Sequence, residues 1–533
     1  MKRNLLGVSL FTLSCLYGIL FAIVFLVCLF LDVELSGVIL ASIIVLLIQF
    51  LLAPFFTDLS MKWFYKANFK QQIPEYLTNF INDICSQHKM KYPKIGIITD
   101  GGPNAFTYGH TKNDARIILT SGMFDILTPD EIKGVVAHEI GHAVHYDMAL
   151  MTMAELVPLI LYYIYEIFIE NIDGDEDSSK FVVIGIVAYV FYIISQYIIL
   201  WFSRTREYYA DSFAVDVTKN PSALAEALVK VGYGLTTNNY NRESSKSVSN
   251  KNALGIFDSD CSKSLAVSCY GTGGMSKTNI MHAMKWEMWN VWAKWYELHS
   301  THPMISKRLK AISERCSEFN QMPYIDFNFQ QPESYVDDFL GELFILLLPV
   351  IVIIGGLAIM AFMYAVKGEV DVLKYICGIV AGVMLSYLIK LQFTHKNRQY
   401  KTCSVFDLLS EVKVSGVTSV PCILEGEIIG RGDPGCIFSE DLVLKDQTGM
   451  IFLDYKRVFR IMDKFVALFK TKAFFNKRVK VTGWYRRSPV PYVEIYKILI
   501  DGEEKERVMK SFTVSKIFAW IIFVFCVILI FVI

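Results

Sequence analysis

The sequence predicts a mainly α-helical, polytopic membrane protein with an α+β domain between its membrane segments and a small β-barrel near the C-terminus. Composition is the first indication, since 53% of the 533 residues are hydrophobic and only 20% are charged. Long uncharged runs recur along the chain, and a helix needs roughly 20 apolar residues to cross a bilayer. Alternation of apolar and polar residues within 400–510 is the third indication, because that period is typical of β-strands.

Charge and cysteine content exclude some classes of protein. The chain has 52 Lys and Arg residues and 52 Asp and Glu residues. It therefore lacks the net positive charge that would indicate nucleic-acid binding. The eleven cysteines form no CxxC pair. That pattern favours reduced, mostly buried thiols over a disulfide framework or a cysteine zinc site.

Membrane spans are predicted at seven places, with six or even five possible. The first run has no charge and is too long for the apolar core of a cleavable signal peptide, so it is predicted to be a retained anchor. Four runs are uncharged and long enough to cross: Asn4–Leu31, Leu35–Thr57, Phe181–Ser203 and Leu343–Val366. Three are weaker, because they carry charges, are short or end the chain: Ala149–Ile169, Val372–Ile389 and Ile517–Ile533.

Charges beside the spans predict their orientation. Lys2 and Arg3 precede the first span, whereas Asp32 and Glu34 follow it, so the positive-inside rule places the N-terminus in the cytoplasm. The acidic stretch ENIDGDEDSSK is predicted to be external, and the basic stretches SRTR and KLQFTHKNRQYK internal. Three regions are then cytoplasmic: roughly 58–148, 204–338 and 392–515.

The stretch GVVAHEIGHAVHYD carries a metal-binding pattern. His138, Glu139 and His142 form HExxH, in which residues four apart share a helical face, so both imidazoles can reach one Zn²⁺ while Glu139 approaches a bound water. The stretch Thr128–Glu131 predicts the helix start through a capping box with proline at the first position. HExxH would arise by chance about once in a hundred such chains, so a second signal is needed.

A third zinc ligand has two candidates. His145 lies seven residues after His138, about 10 Å along a helix axis, which is too far to share one ion easily. Glu207 and Asp211, four apart, would bind zinc and hold a ligand histidine respectively, or form an ordinary carboxylate pair on a solvated helix start. Because two predicted spans separate His142 from Glu207, both lie on the same side of the membrane, which favours the zinc interpretation.

Four segments carry a resemblance to a known family: PNAFTYG, VVAHEIGHAVHYD, SRTREYYADSFA and STHPMISKRL. In this order, and with membrane segments around them, they resemble HtpX-like membrane zinc metalloendopeptidases, gluzincins related to the CAAX prenyl endoproteases. The resemblance covers roughly residues 1–320. It implies one Zn²⁺ per chain held by His138, His142 and Glu207, with Glu139 as general base, in a gluzincin-type domain facing the cytoplasm.

Other residues have predicted supporting roles. His302 is the best candidate for stabilising the oxyanion, with Arg204 and Arg206 as alternatives, although a polar residue before Pro303 also suits a helix entry. Residues 115–124 are predicted to be a strand, either an exposed edge that binds extended substrate, with Asn104 contacting the substrate backbone, or a plain core strand. Glu155 lies inside the third span, as a cavity or an interface residue.

The predicted domain organisation combines these parts. Two helices occupy 1–57, and a zinc metallopeptidase domain occupies 58–338, with a membrane hairpin at about 149–203. A second hairpin at 339–391 leads to an OB-like domain at 400–510 and a last helix at 515–533. Residues 236–274 are predicted to be a flexible insertion, as a lid or a disordered loop.

The predicted partners follow from this organisation. Arg431, Arg486, Arg487, Trp484 and Tyr485 would serve nucleic-acid binding on an OB barrel, but membrane tethers favour protein contact or substrate recruitment, so nucleic acid is not expected.

The predicted function is cleavage of misfolded or unfolded membrane proteins at the cytoplasmic face of the cell (inner) membrane. Two alternatives remain open: a processing protease for specific peptides, and a non-catalytic zinc-binding membrane scaffold. An intact Glu139 argues against the scaffold, because a structural zinc site has no need of it.

Overall fold

The structure is a computed structural model that describes residues 12–24, 35–170, 178–237, 270–271, 274–275, 277–368, 370–395, 399–431, 442–454, 475–488, 490–509 and 511–532. The chain forms two compact units. Among the described residues, the first unit contains 12–237 and 295–326, and the second contains 270–294 and 327–532 with the gaps given above.

The first unit is built on helices, numbered here in chain order. The helices of the first unit are α1 Thr12–Val24, α2 Leu35–Trp63, α3 Glu75–Gln87, α4 Ser121–Ile126, α5 Pro129–Val144, α6 Asp147–Glu170, α7 Ser178–Thr218 and α8 Pro221–Thr237. A last helix, Ile305–Glu314, follows residues that belong to the second unit. Leu16 and Leu20 of α1 pack with Val157 and Leu161 of α6, and with Ala188 of α7. This apolar cluster joins three helices of the membrane region.

Helix α7 is longer than the span predicted from sequence. The uncharged run ends at Ser203, but the helix continues without a break to Thr218, 41 residues in all, or about 60 Å. The part beyond Ser203 carries Glu207 and Asp211. A single rigid helix therefore connects the apolar segment to the predicted zinc site.

A three-stranded sheet lies beside α5. Its strands are β1 Lys94–Ile98, β2 Ala105–Tyr108 and β3 Arg116–Thr120, in the order β1-β3-β2, with β1 parallel and β2 antiparallel to β3. β3 is central and buried throughout. Of the two alternatives for residues 115–124, the core strand is confirmed and the exposed substrate-binding edge is wrong; the edge that lies next to α5 belongs to β2.

Helix α5 begins as predicted and packs closely on α7. Thr128 and Glu131 form the capping box, with the Thr128 N–H donating to Glu131 Oε2 at 2.8 Å. A Cβ on Gly141 would lie 3.3 Å from Ala210 Cα and 3.1 Å from Phe213 Cδ1, so glycine is what lets the two helices approach. Tyr146, at φ 60°, turns the chain directly into α6.

The second unit contains three long apolar helices and a closed barrel. The remaining helices are α9 Lys277–Trp289, α10 Val291–Leu298, α11 Ile305–Glu314 (the first unit's last helix), α12 Val336–Lys367, α13 Val372–Thr394, α14 Val405–Ser410 and α15 Ser511–Val532. α10 extends across the boundary between the units. Its strands are β4 Tyr270–Gly271, β5 Gly274–Met275, β6 Lys401–Thr402, β7 Val420–Arg431, β8 Leu442–Lys445, β9 Met450–Asp454, β10 Arg478–Ser488, β11 Val490–Ile500 and β12 Arg507–Val508.

Five strands close the barrel. β7 pairs with β8, β8 with β9, β9 with β11, β11 with β10, and β10 again with β7; only β9 and β11 are parallel. Register shifts at Ile428/Gly430 and Thr482/Gly483 bend the long strands, as bulges do in barrels. A Cβ on Gly483 would lie 2.2 Å from the carbonyl oxygen of Glu494, so only glycine fits there.

The barrel residues that the sequence offered for nucleic-acid binding are not on its surface. Trp484 and Arg486 are 3% exposed, and Tyr485 and Arg487 are fully buried. Arg486 donates to Glu494 and to backbone carbonyls, and Arg487 lies over the ring of Trp286. These four side chains build the core, which corrects their predicted role; the side chain of Arg431 lies outside the described residues.

Five helices in the described part of the chain are long and apolar enough to span a membrane. They are Asp147–Ile169, Phe181–Thr218, Val336–Lys367, Val372–Thr394 and Phe512–Val532. The protein is therefore a multi-pass membrane protein. The first predicted span and the 236–274 insertion fall partly outside the described residues, the second predicted span lies within α2, and Glu155 is exposed on α6.

Candidate metal centre

Three side chains from two helices converge in the first unit. The ring nitrogens Nε2 of His138 and His142 are 3.2 Å apart, and the Glu207 carboxylate lies 3.5 Å from the first and 3.6 Å from the second. Of the residues that the structure describes, these form the one group with metal-ligand geometry. α5 supplies the two histidines one turn apart, and α7 supplies the carboxylate.

Asp211 and Arg308 form hydrogen bonds and ion pairs with this group and with each other. Asp211 Oδ1 lies 3.0 Å from His138 Nδ1, which leaves Nε2 facing the centre. Arg308 donates to both Asp211 oxygens at 2.8 and 2.7 Å, and its third nitrogen lies 3.0 Å from Glu207 Oε2. The buried guanidinium thus fixes both carboxylates, as partners of metal ligands commonly do.

A second supporting pair was missed by the sequence analysis. Asp147, the first residue of α6, accepts from His142 Nδ1 at 2.6 Å and pairs with the buried Arg206 of α7. The signal was present, since Asp147 lies five residues after His142 in the same stretch. Only the left-handed turn at Tyr146, which brings the start of α6 back towards α5, makes the contact possible.

Glu139 lies beside the three candidate ligands and is 3% exposed. The Thr107 hydroxyl of β2 is 2.8 Å from Glu139 Oε2. The HExxH carboxylate is therefore held between the helix and the edge strand.

The electrostatics of the site favour a cation. Burial by itself lowers the pKa of His138, but hydrogen bonds to Asp211 and Glu207 outweigh it and raise that pKa to about 9. Burial, and then the neighbouring His138, lower the pKa of His142 to about 4. Two carboxylates therefore favour one positive charge between the rings, which a proton or a metal ion can supply.

His302 and Asn104 occupy different positions relative to the centre. His302 Nδ1 is 3.4 Å from Glu207 Oε1, so its ring is next to the ligand set. Asn104 is buried just before β2, where its Oδ1 accepts from the Ala105 N–H at 2.9 Å.

The alternative oxyanion donors and His145 have other partners. Arg204 donates to the carbonyls of Glu297 and Ser300, ahead of His302, and Arg206 pairs with Asp147. His145 packs against the rings of Tyr209 and Phe213. It is outside the candidate ligand group, in agreement with the argument from helical rise.

The donor set fits zinc. Two imidazole nitrogens and one carboxylate oxygen are the ligands of many catalytic zinc sites. His138 Nε2 and His142 Nε2 are 3.2 Å apart, Glu207 Oε2 lies 3.5 Å from the first and Glu207 Oε1 lies 3.6 Å from the second, so the three side chains lie close enough to hold one ion.

Part of the chain is similar in sequence to known peptidases. Residues 71–316 match peptidase family M48. A protein described as "Protease HtpX homolog" from Methanothermobacter thermautotrophicus is 37% identical over 35% of this chain and 69% of its own length. Another with that description from Archaeoglobus fulgidus is 31% identical over 39% of this chain, which spans 61% of that relative. A crystal structure of S. mikatae Ste24p aligns at a TM-score of 0.33, with 17% identity, over 57% of this chain and 64% of that one.

Fold and site together define a membrane-associated metalloprotease of the HExxH type. The histidine pair and its glutamate lie on α5, and the third candidate ligand lies on a helix continuous with an apolar segment. The chain belongs to peptidase family M48, among the HtpX homologues.

Proposed function

We propose that this protein is a zinc-dependent endopeptidase that hydrolyses peptide bonds of misfolded or unfolded membrane proteins at the cytoplasmic face of the cell (inner) membrane. The convergence of His138, His142 and Glu207 beside Glu139 carries this proposal. Family membership and five candidate spans support it. The basic stretches after the fourth and sixth predicted spans support the cytoplasmic orientation.

The proposed chemistry assigns one task to each residue. His138, His142 and Glu207 would hold Zn²⁺, which when bound would supply Lewis acidity for the hydrolysis. Glu139 accepts the proton of the attacking water and returns it to the leaving amine. His302, beside Glu207, donates a hydrogen bond to the oxyanion as its charge develops.

Substrate binding is assigned to the edge strand β2. β2 pairs with β3 along one edge, and no strand among the described residues pairs with its other edge. An extended substrate can therefore add to that other edge through main-chain hydrogen bonds. Asn104 immediately precedes this strand and is proposed to contact the substrate backbone. Main-chain recognition accepts many sequences, which suits cleavage of unfolded segments.

The barrel is proposed to be an OB-like module for substrate recruitment or protein contact. Its five strands and closed ring support the OB-like assignment. Trp484, Tyr485, Arg486 and Arg487, four of the five side chains considered for nucleic-acid binding, are buried in the barrel core, which supports protein contact or recruitment.

Comparison of wild type with Glu139→Gln tests the proposed activity. Both proteins are purified in detergent, supplied with Zn²⁺ and assayed on casein and on an unfolded membrane protein. We expect Glu139→Gln to keep one zinc per chain and to lose at least about 10³-fold in kcat, because general base catalysis and orientation of the water are both removed. Equal cleavage by the two proteins would reject the mechanism.

A further inference from the structure

Thr107 is placed on the face of β2 that looks towards the HExxH helix. Side chains alternate along a strand, and its neighbours Phe106 and Tyr108 pack on the opposite face with Met61 and Ile118. Thr107 itself is half-buried and contacts Glu139. The alternation of β2 therefore directs one hydroxyl to the catalytic helix.

The hydroxyl has two acceptors on one residue. Thr107 Oγ1 is 2.8 Å from Glu139 Oε2 and 3.1 Å from the Glu139 carbonyl oxygen. A hydroxyl has one proton to donate, and an ionised carboxylate is the stronger acceptor. While Glu139 is ionised, the hydrogen bond goes to Oε2, and Oε1 remains for the attacking water.

We propose that Thr107 is a positioning residue that keeps the Glu139 carboxylate in its reactive orientation, an inference that rests on the proposed role of Glu139 as general base. The proton of the water passes to Oε1 and then to the leaving nitrogen. During the time that Glu139 holds this proton, the Thr107 hydroxyl turns to the carbonyl oxygen 3.1 Å away. It gains and loses no proton, so the cycle balances.

The location of Thr107 adds a coupling to substrate binding. The substrate is proposed to add to β2, and the Thr107 side chain of the same strand donates a hydrogen bond to Glu139. A substrate aligned by main-chain bonds to β2 is thereby aligned with the Glu139 carboxylate as well. The effect of Thr107 belongs in the chemical step, because its side chain contacts the base rather than the proposed substrate edge.

The test uses full-length protein in detergent and a fluorogenic peptide, with kcat, KM, zinc content and melting temperature measured for each variant. Thr107→Val keeps the side-chain shape without the hydroxyl, and Thr107→Ala is a second hydroxyl-free variant. Thr107→Ser keeps the hydroxyl. Thr218→Val is the matched control, since it removes a threonine hydroxyl that donates to a helix carbonyl at the far end of α7.

Removing the hydroxyl from Thr107 is expected to lower kcat by roughly tenfold or more, the effect of losing a hydrogen bond to a charged group. KM should stay within about twofold and zinc at one per chain, because the ligands are untouched. Thr107→Ser is expected to restore most of kcat, and Thr218→Val to match wild type.

Different outcomes separate this inference from the proposed function. Wild-type kcat in either folded hydroxyl-free variant would overturn the role of Thr107 while an inactive Glu139→Gln still supported the protease. A fall in kcat that Thr107→Ser does not relieve, with zinc lost and the melting temperature lowered in step, would reduce Thr107 to a structural residue and also overturn it. Full activity in Glu139→Gln would instead reject the general base, and the inference with it.

Discussion

At the residue scale, each side chain of the candidate metal centre has a buried partner. His138 Nδ1 contacts Asp211, His142 Nδ1 contacts Asp147, and Glu207 Oε2 contacts Arg308. Burial of Arg308 lowers its pKa, but Asp211 and Glu207 outweigh that effect and raise it, so the guanidinium stays charged. These contacts orient the candidate ligands toward one another.

Glu207→Ala tests the third ligand. Zinc content should fall well below one per chain, because two histidines alone leave the site a ligand short. Asp216→Ala on the same helix is the control, since its pairing with Arg315 is at the surface and contributes little. Metal analysis after dialysis measures the difference, and equal zinc in both variants would remove Glu207 from the ligand set.

Asp147→Asn tests the pair that the sequence analysis missed. The change removes the carboxylate that accepts the hydrogen bond from His142 and balances the charge of the buried Arg206. Zinc affinity is therefore expected to fall about 10- to 100-fold. Competition with a chromophoric chelator measures the affinity. Asp130→Asn, which removes an exposed carboxylate of α5, should change it little; similar affinities in all three proteins would contradict the role of Asp147.

At the scale of elements, the close approach of α5 and α7 decides whether a site exists. The two histidines and Glu207 lie on different helices that meet at Gly141. The sequence predicted the helix start, the HExxH face and the far carboxylate. Only packing shows that Gly141 contacts Ala210 and Phe213, because HExxH constrains the spacing along one helix and not the distance to another.

Gly141→Ala tests that approach. Its Cβ would meet the backbone of Ala210 at 3.3 Å, so we expect a loss of about 1–2 kcal/mol in the free energy of unfolding together with weaker zinc binding. At Gly134 a Cβ would be 3.4 Å or more from Leu224, an ordinary contact. Gly134→Ala is therefore expected to be neutral or to stabilise by about 0.5 kcal/mol. Melting curves with and without Zn²⁺ compare the two, and equal effects would count against the helix contact.

At the scale of the whole molecule, each compact unit combines segments that are far apart in the sequence. Residues 277–294 belong to the second unit, where the buried Trp286 donates to the Val414 carbonyl at 2.7 Å and packs under Arg487. Hydrophobic runs locate membrane helices, but they carry no information on which of the segments between those helices pack against each other. A segment next in sequence to the protease motifs therefore contributes to the barrel unit.

Trp286→Ala tests this assignment. Truncating a buried tryptophan costs about 3–5 kcal/mol, so the unfolding transition of the second unit should move to lower temperature. Zinc content should stay at one per chain, since no candidate ligand is in that unit. Trp289→Ala, which truncates a partly exposed tryptophan, is the milder control. If Trp286→Ala lowered the zinc content as well as the unfolding temperature of the second unit, residues 277–294 would support the metal centre after all.

The sequence by itself determined the membrane helices, the HExxH helix with its cap, the downstream glutamate and the strands of the barrel, because each is encoded by local periodicity or spacing. Tertiary structure alone decided which strand forms the sheet edge, which side chains hold the ligands, and which aromatic and basic residues of the barrel are buried. Those features depend on packing between segments that are far apart in the sequence, such as Asp211 with Arg308, 97 residues away, and Trp286 with Val414, 128 residues away. For the HEIGH stretch the physical reason is the same: its histidines share a face through helical period, but their third partner is provided by a second helix.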